Sequence, residues 1–271
     1  MLRKLLKHEF RATSRIMGPL YLILLVTAVG ANLSSRMLLD SNSHLLNMVG
    51  FLLVMAFVVA IIGVCVMSLV LMIQRFYKNL LGDEGYVMFT LPASVHQHVW
   101  SKLIVSSVWF LATGVAVCLA FVVMVYEVGF MGQLLHGLRL LLEQLTAYYA
   151  LNGTAIALEM LAVMFLSLVI FSLQFYAAMA VGYSFANHKG LLSVAFFFGS
   201  QFALQLLGTV LIYAADATGF DFWLARLLDW SAHGMAAFHL SMLVVIVFEV
   251  LYGAIFYFVT TWFLKNRLNL E

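Results

Sequence analysis

The chain has little charge and little cysteine, and each shortage excludes something. Only 10% of its 271 residues are Asp, Glu, Lys or Arg, whereas 65% are hydrophobic and the mean hydropathy is +1.05. A soluble domain carries about a quarter charged residues, so this composition belongs to an integral membrane protein. A net charge of +2 is too small to suggest nucleic acid as a partner. The two cysteines, Cys65 and Cys118, offer neither a disulfide framework nor a metal-ligand spacing. The spans assigned below also put them at different depths, which argues against a disulfide between them. Gly-x-x-x-x-Gly-Lys-Ser/Thr, His-Glu-x-x-His and Gly-x-Ser-x-Gly are all missing, so no phosphate loop, metal motif or nucleophile elbow is visible. The chain is not expected to be an enzyme by itself, nor to carry a cofactor or metal of its own.

What is present is a set of long apolar runs. A bilayer core takes about 20 apolar residues per helix, and hydropathy marks six such spans, at 16–33, 45–73, 99–126, 153–185, 190–214 and 237–264. Several exceed the minimum, so tilt or extension into water is expected. No soluble domain fits in the gaps, and 1–271 reads as a single transmembrane domain in an all-α fold. With the N-terminus inside, Arg36, Arg139 and Arg226 alone of the fourteen Lys and Arg residues fall outside. By the positive-inside rule both termini are then cytoplasmic.

Residues 1–15 place Leu2, Leu5, Leu6 and Phe10 on one helical face and Arg3, Lys4, Lys7 and Arg11 on the other. This is the pattern of an amphipathic helix in the inner headgroup layer, an elbow into the first span. A secretory signal is the rival reading, because Ala28-Val29-Gly30-Ala31 imitates a cleavage site. The length of the basic amphipathic region and the charge asymmetry count against it. On the outer side, 133–149 carries leucines at helical spacing and 222–230 repeats the character, which predicts short helices at the outer leaflet before spans 4 and 6. Trp223, Trp230, Tyr148 and Tyr149 are their interfacial anchors. Asn152-Gly153-Thr154 fits a glycosylation sequon but equally opens a helix.

The segment 74–94 is the polar interruption between spans two and three. Arg75 and Lys78 suit the negative end of the second helix, and Gly82 suits its stop. Asp83 can cap a new helix with Glu84 in its first turn. Pro92 disfavours helix at Leu91, and Ser94-Val95-His96-Gln97 fits a capping box that starts the third span. A helix of only about eight residues remains, too short to be stable alone. Its residues Tyr86, Val87, Met88, Phe89 and Leu91 are apolar nearly all round. The membrane surface covers one side of such a helix, and a second protein is the economical cover for the rest.

Glu84-Gly85-Tyr86, then Thr90-Leu91-Pro92-Ala93-Ser94, then Ser101-Lys102 resembles the first cytoplasmic loop of ABC-2-type transporter permeases. The six-span plan with an N-terminal amphipathic helix is similar as well. The resemblance implies that 75–98 is a coupling segment whose short helix docks on a separate cytoplasmic ABC ATPase, with ATP and Mg on that subunit. It also implies a dimer with a second copy or a sister permease in the cell membrane, and export of a substrate. The interface residues it implies are Asp83, Glu84, Gly85, Tyr86, Phe89, Leu91 and Pro92. The chain departs from the pattern at His96 and His98, where many relatives place Arg or Lys.

Polar residues inside the spans complete the set: Glu159, Gln174, Gln201, Gln205 and Glu249. A charge in lipid costs at least ~2.5 kcal/mol, so Glu249 is expected to face protein or water. At ~1.5 Å rise per residue Gln201 and Glu249 reach similar depths, which predicts that they pair. These five residues either line a pathway or join helices. Ala178-x-x-x-Gly182 and Ala195-x-x-x-Gly199 permit close helix approach. Two other classes stay open: an ion-coupled secondary carrier using Glu249 and Glu159, and a structural or sensory subunit working through its outer helices.

Overall fold

The computed structural model describes residues 2–37, 43–82, 84–90, 93–126, 130–149, 153–185, 187–229 and 234–267. Among the described residues the regular structure is helical throughout: α1 (Leu2–Met37), α2 (His44–Phe76) continued by a π turn (Tyr77–Leu81), α3 (Glu84–Thr90), α4 (Val95–Val125), α5 (Phe130–Tyr149), α6 (Gly153–Gly182), α7 (Lys189–Thr218), α8 (Phe220–Leu227) and α9 (Met235–Asn266). Six of these, α1, α2, α4, α6, α7 and α9, are long and apolar enough to cross a membrane. Helix is what lipid demands of a spanning backbone, because every N–H and C=O must find its partner within the segment. The protein is an all-α, multi-pass integral membrane protein.

The amphipathic stretch 1–15 and the first span form one continuous helix rather than two set at an elbow. Nothing between them breaks the backbone pattern. The Thr13 hydroxyl donates back to Glu9 O at 2.8 Å and that of Ser14 to Arg11 O at 3.2 Å, so these polar side chains are satisfied inside the helix. Pro19 lies within α1 and withholds the N–H that the Arg15 carbonyl would otherwise accept.

The chain packs as two compact units, 1–76 with 92–138, and 77–91 with 139–271. In the first, α1 packs on both α2 and α4, which also touch each other. Their shared core is Leu24, Ala28, Ala31, Phe57, Val64 and Ala120, in which three alanines let the helices approach closely. The Ser34 hydroxyl donates to Gly50 O at 2.6 Å, tying α1 to the start of α2. Cys65 and Cys118 are free and exposed.

In the second unit α6 takes the central place, packing on both α7 and α9, while α8 packs on α7. Gly253 of α9 sits so near α6 that a Cβ there would lie 3.3 Å from Ile170 Cγ1. Gly219 joins α7 to α8 with φ 69°, a left-handed conformation that favours glycine, and its N–H closes the end of α7 on Ala215 and Asp216 carbonyls. The helices expected near 133–149 and 222–230 are present as α5 and α8, and both expose apolar side chains, among them Leu138, Leu141, Phe222 and Trp223. Trp230, Asn152 and the side chains of Tyr148 and Tyr149 lie outside the described residues.

The two small-residue pairs part company here. A Cβ on Gly182 would fall 2.5 Å from Ser193 N, whereas one on Gly199 would meet nothing within 4 Å. Gly182 is therefore where α6 and α7 need glycine. Gly182→Ala is expected to lose about 1–3 kcal/mol by overpacking, and Gly199→Ala to stay within about 0.5 kcal/mol of the parent. Thermal unfolding of both variants in mild detergent measures the difference.

Candidate coupling segment and intramembrane polar contacts

The end of α2 is built as the sequence suggests, with one refinement. After Phe76 the helix widens into the π turn, and Gly82 N–H donates to Tyr77 O at 2.9 Å, five residues back. A Cβ on Gly82 would sit 3.3 Å from the Lys78 carbonyl oxygen, so the stop is crowded. Gly85 N–H then donates to Gly82 O at 2.8 Å and opens α3, which has 7 residues and packs on the π turn. The rings of Tyr77 and Tyr183 lie 5.4 Å apart, which ties the π turn to the end of α6.

Of the implied docking residues, Glu84 is exposed, Tyr86 is 53% exposed and Gly85 is buried. Asp83, Leu91, Pro92 and the side chain of Phe89 lie outside the described residues. Beyond the turn, Ser94 caps α4, its hydroxyl accepting from Gln97 N–H at 3.3 Å. Gln97 Oε1 finds no hydrogen-bond partner among the described residues, so only one half of the capping box is made.

Within the first unit, α1 and α4 are stitched by polar contacts along their length. Lys102 forms an ion pair with Glu9, with 2% and 9% of the two side chains exposed. Trp109 Nε1 donates to Thr13 Oγ1 at 2.6 Å, Tyr21 and Thr113 hydroxyls share a 2.9 Å hydrogen bond, and Asn32 Nδ2 donates to Met124 O at 2.8 Å and Tyr126 O at 2.9 Å. A cavity of about 20 Å³ beside the ion pair is also lined by Ser68, Arg75 and Trp109. It has room for about one water. The sequence offered Lys102 as an inner positive charge and as part of the loop motif, and it did not single out Glu9. The available signal was a lone acid within the basic N-terminal stretch and a lysine inside an apolar helix.

A second series joins α6 to α9 within the other unit. His239 Nδ1 and Glu159 Oε1 are 2.6 Å apart, the Ser167 hydroxyl donates to Glu249 Oε1 at 2.5 Å, and Gln174 Nε2 donates to Tyr252 Oη at 2.9 Å. The expected Gln201–Glu249 pair is thus corrected: Glu249 is held by Ser167 of α6, the helix on which α9 packs. Gln201 is half-buried and Gln205 exposed on α7, and neither joins the series. Glu159, Gln174 and Glu249 are brought to one helix pair, where each makes a hydrogen bond to the facing helix. No protein-family model matches the chain, and no curated protein or solved structure matches it.

The buried pair of Glu9 and Lys102 carries the sharpest energetic consequence. Lys102→Met leaves an uncompensated buried carboxylate and is expected to lose about 3–5 kcal/mol, while the double variant Glu9→Leu with Lys102→Met recovers most of that loss. Unfolding of the single and double variants in detergent measures both steps, and a double variant no better than the single would refute the burial argument.

Proposed function

We propose that the chain is the membrane-spanning permease subunit of an ATP-driven ABC exporter of the ABC-2 type. The carrying observation is α3: a helix of 7 residues, held at the π-terminated end of a span, that presents Glu84 and a 53% exposed Tyr86. A helix this short has no stability of its own. A tyrosine left half in water at such a place suits an interface, where its ring and hydroxyl both find partners. The loop resemblance supports the same assignment, and the lysine and arginine distribution supports cytoplasmic termini with α3 on the cytoplasmic side of the cell membrane.

On this reading a cytoplasmic ATPase subunit brings ATP and Mg, and a second permease, identical or sister, completes the pathway. The chain contributes coupling and part of the path. A second reading, an ion-coupled carrier, draws on Glu249, whose Oε2 is buried without a hydrogen-bond partner among the described residues.

Purification of the tagged chain in mild detergent from its native host should recover a nucleotide-binding subunit. Glu84→Arg and Tyr86→Ala should each cut that recovery about tenfold, a change of ~1.4 kcal/mol in docking. Recovery of no ATPase, or wild-type recovery with both variants, would refute the exporter assignment, and transport that survives Glu84→Arg would favour the carrier.

A further inference from the structure

The contacts between α6 and α9 enclose more than a seam. Beside them lies a recess of about 370 Å³, lined by Ser167, Phe171, Gln174, Phe248, Glu249 and Tyr252. That volume falls in the range of small-molecule sites, about 300–1,000 Å³. Glu249 stands roughly 21 Å along α9 from Met235 in a helix about 48 Å long, so the carboxyl group sits near mid-membrane depth.

We propose that this recess binds a lipophilic organic cation, a tetraalkyl- or arylammonium-like molecule with its charge against Glu249 and its apolar groups on the aromatic walls. Three properties select that class. First, Glu249 is half satisfied: Oε1 accepts from Ser167, while Oε2 is buried and has no partner among the described residues. A buried carboxylate with no opposite charge beside it is costly, and a bound cation offsets that cost by charge, with no need to donate a hydrogen bond. Second, no Lys, Arg or His among the described residues lines the recess, so the negative group is not answered from within. Third, Phe171, Phe248 and Tyr252 offer π surface, which attracts a desolvated cation within about 6 Å of a ring.

The alternatives fit less well. A calcium-like ion needs six to eight oxygens at about 2.3–2.6 Å, and one carboxylate with three neutral polar groups spread over about 370 Å³ does not supply them. An anion meets Glu249 unfavourably, and a neutral hydrophobe leaves its charge uncompensated. Phe248 is 67% exposed and Phe171 37%, so the recess opens toward the apolar surroundings of the span. A cation that dissolves in the bilayer reaches it from there. The binding site lies wholly within the second unit, and the inference does not depend on the ATPase reading.

The test uses the full-length chain in lipid nanodiscs with tetraphenylphosphonium as probe and equilibrium dialysis as readout. Saturable binding is expected, weakened about tenfold or more in Glu249→Gln, a change that keeps an acceptor for Ser167. Glu159→Gln, which removes a carboxylate elsewhere on α6, and Glu84→Arg should bind as the parent does. Uncharged tetraphenylsilane should fail to compete on the parent protein, a measurement that stands even where a variant folds poorly. Non-saturable partitioning alone, unchanged affinity in Glu249→Gln, or equal competition by the silane would each overturn the proposal.

Discussion

A backbone amide in hydrocarbon has no water to turn to, and the cost of leaving it unpaired is several kcal/mol. The chain answers with helix along nearly its whole described length, and that solution creates a second problem. Helices whose outer surfaces are as apolar as the lipid gain little from burying them against each other. Association must come from close packing, hydrogen bonds between helices and lipid entropy. The two units meet that need in the same way: one helix takes both neighbours, small residues bring backbones together, and a few polar side chains link one parallel pair, α1 with α4 and α6 with α9. Each link is worth about 0.6 kcal/mol on average in such settings. The links therefore fix which faces meet more than they hold the faces together, and glycine at positions 182 and 253 sets how near the helices come.

The difference between those two tasks decides what could be read in advance. Span number, the stop at Gly82 and the cap at Ser94 follow from local chemistry, so the order of elements was legible. Helix pairing was not. Gln201 and Glu249 match in depth, but depth is one coordinate, and α6, α7 and α9 are apolar nearly all round, leaving no stripe from which to read the second. The Glu9–Lys102 pair escaped for a related reason. A basic residue near a span end counts equally well as a headgroup contact, and only the packing of α1 on α4 turns it into a buried partner. Continuity of α1 was hidden too, because an amphipathic stretch beside an apolar one predicts a change of surroundings, whereas a change of direction needs a break in the backbone.

The α1–α4 contacts also bear on the proposed coupling. Ser94 begins α4, and Lys102 lies two turns further on, already tied to Glu9 of α1. A displacement that arrives through the chain at the start of α4 therefore passes to α1 at once. A buried ion pair suits that task better than an apolar contact, because it resists sliding: one partner moved away leaves a charge uncompensated. On the ATPase reading, the first unit would answer a push as one body, with Pro19 the place in α1 where a hydrogen bond is already absent.

Four acids lie within the spanning helices described: Asp216 is exposed in the last turn of α7, and the other three are settled differently. Glu9 is matched by a full lysine charge. Glu159 meets an imidazole nitrogen through Oε1, while its Oε2 has no hydrogen-bond partner among the described residues. Glu249 has only a hydroxyl, which stabilises a carboxylate by one hydrogen bond and supplies no charge. If helix joining were the whole task at that depth, a second glutamine like Gln174 would do it at far lower desolvation cost. An acid where a neutral amide would join the helices as well points to a role for the charge itself, and a charge without a fixed counterpart among the described residues can serve a counterpart that comes and goes.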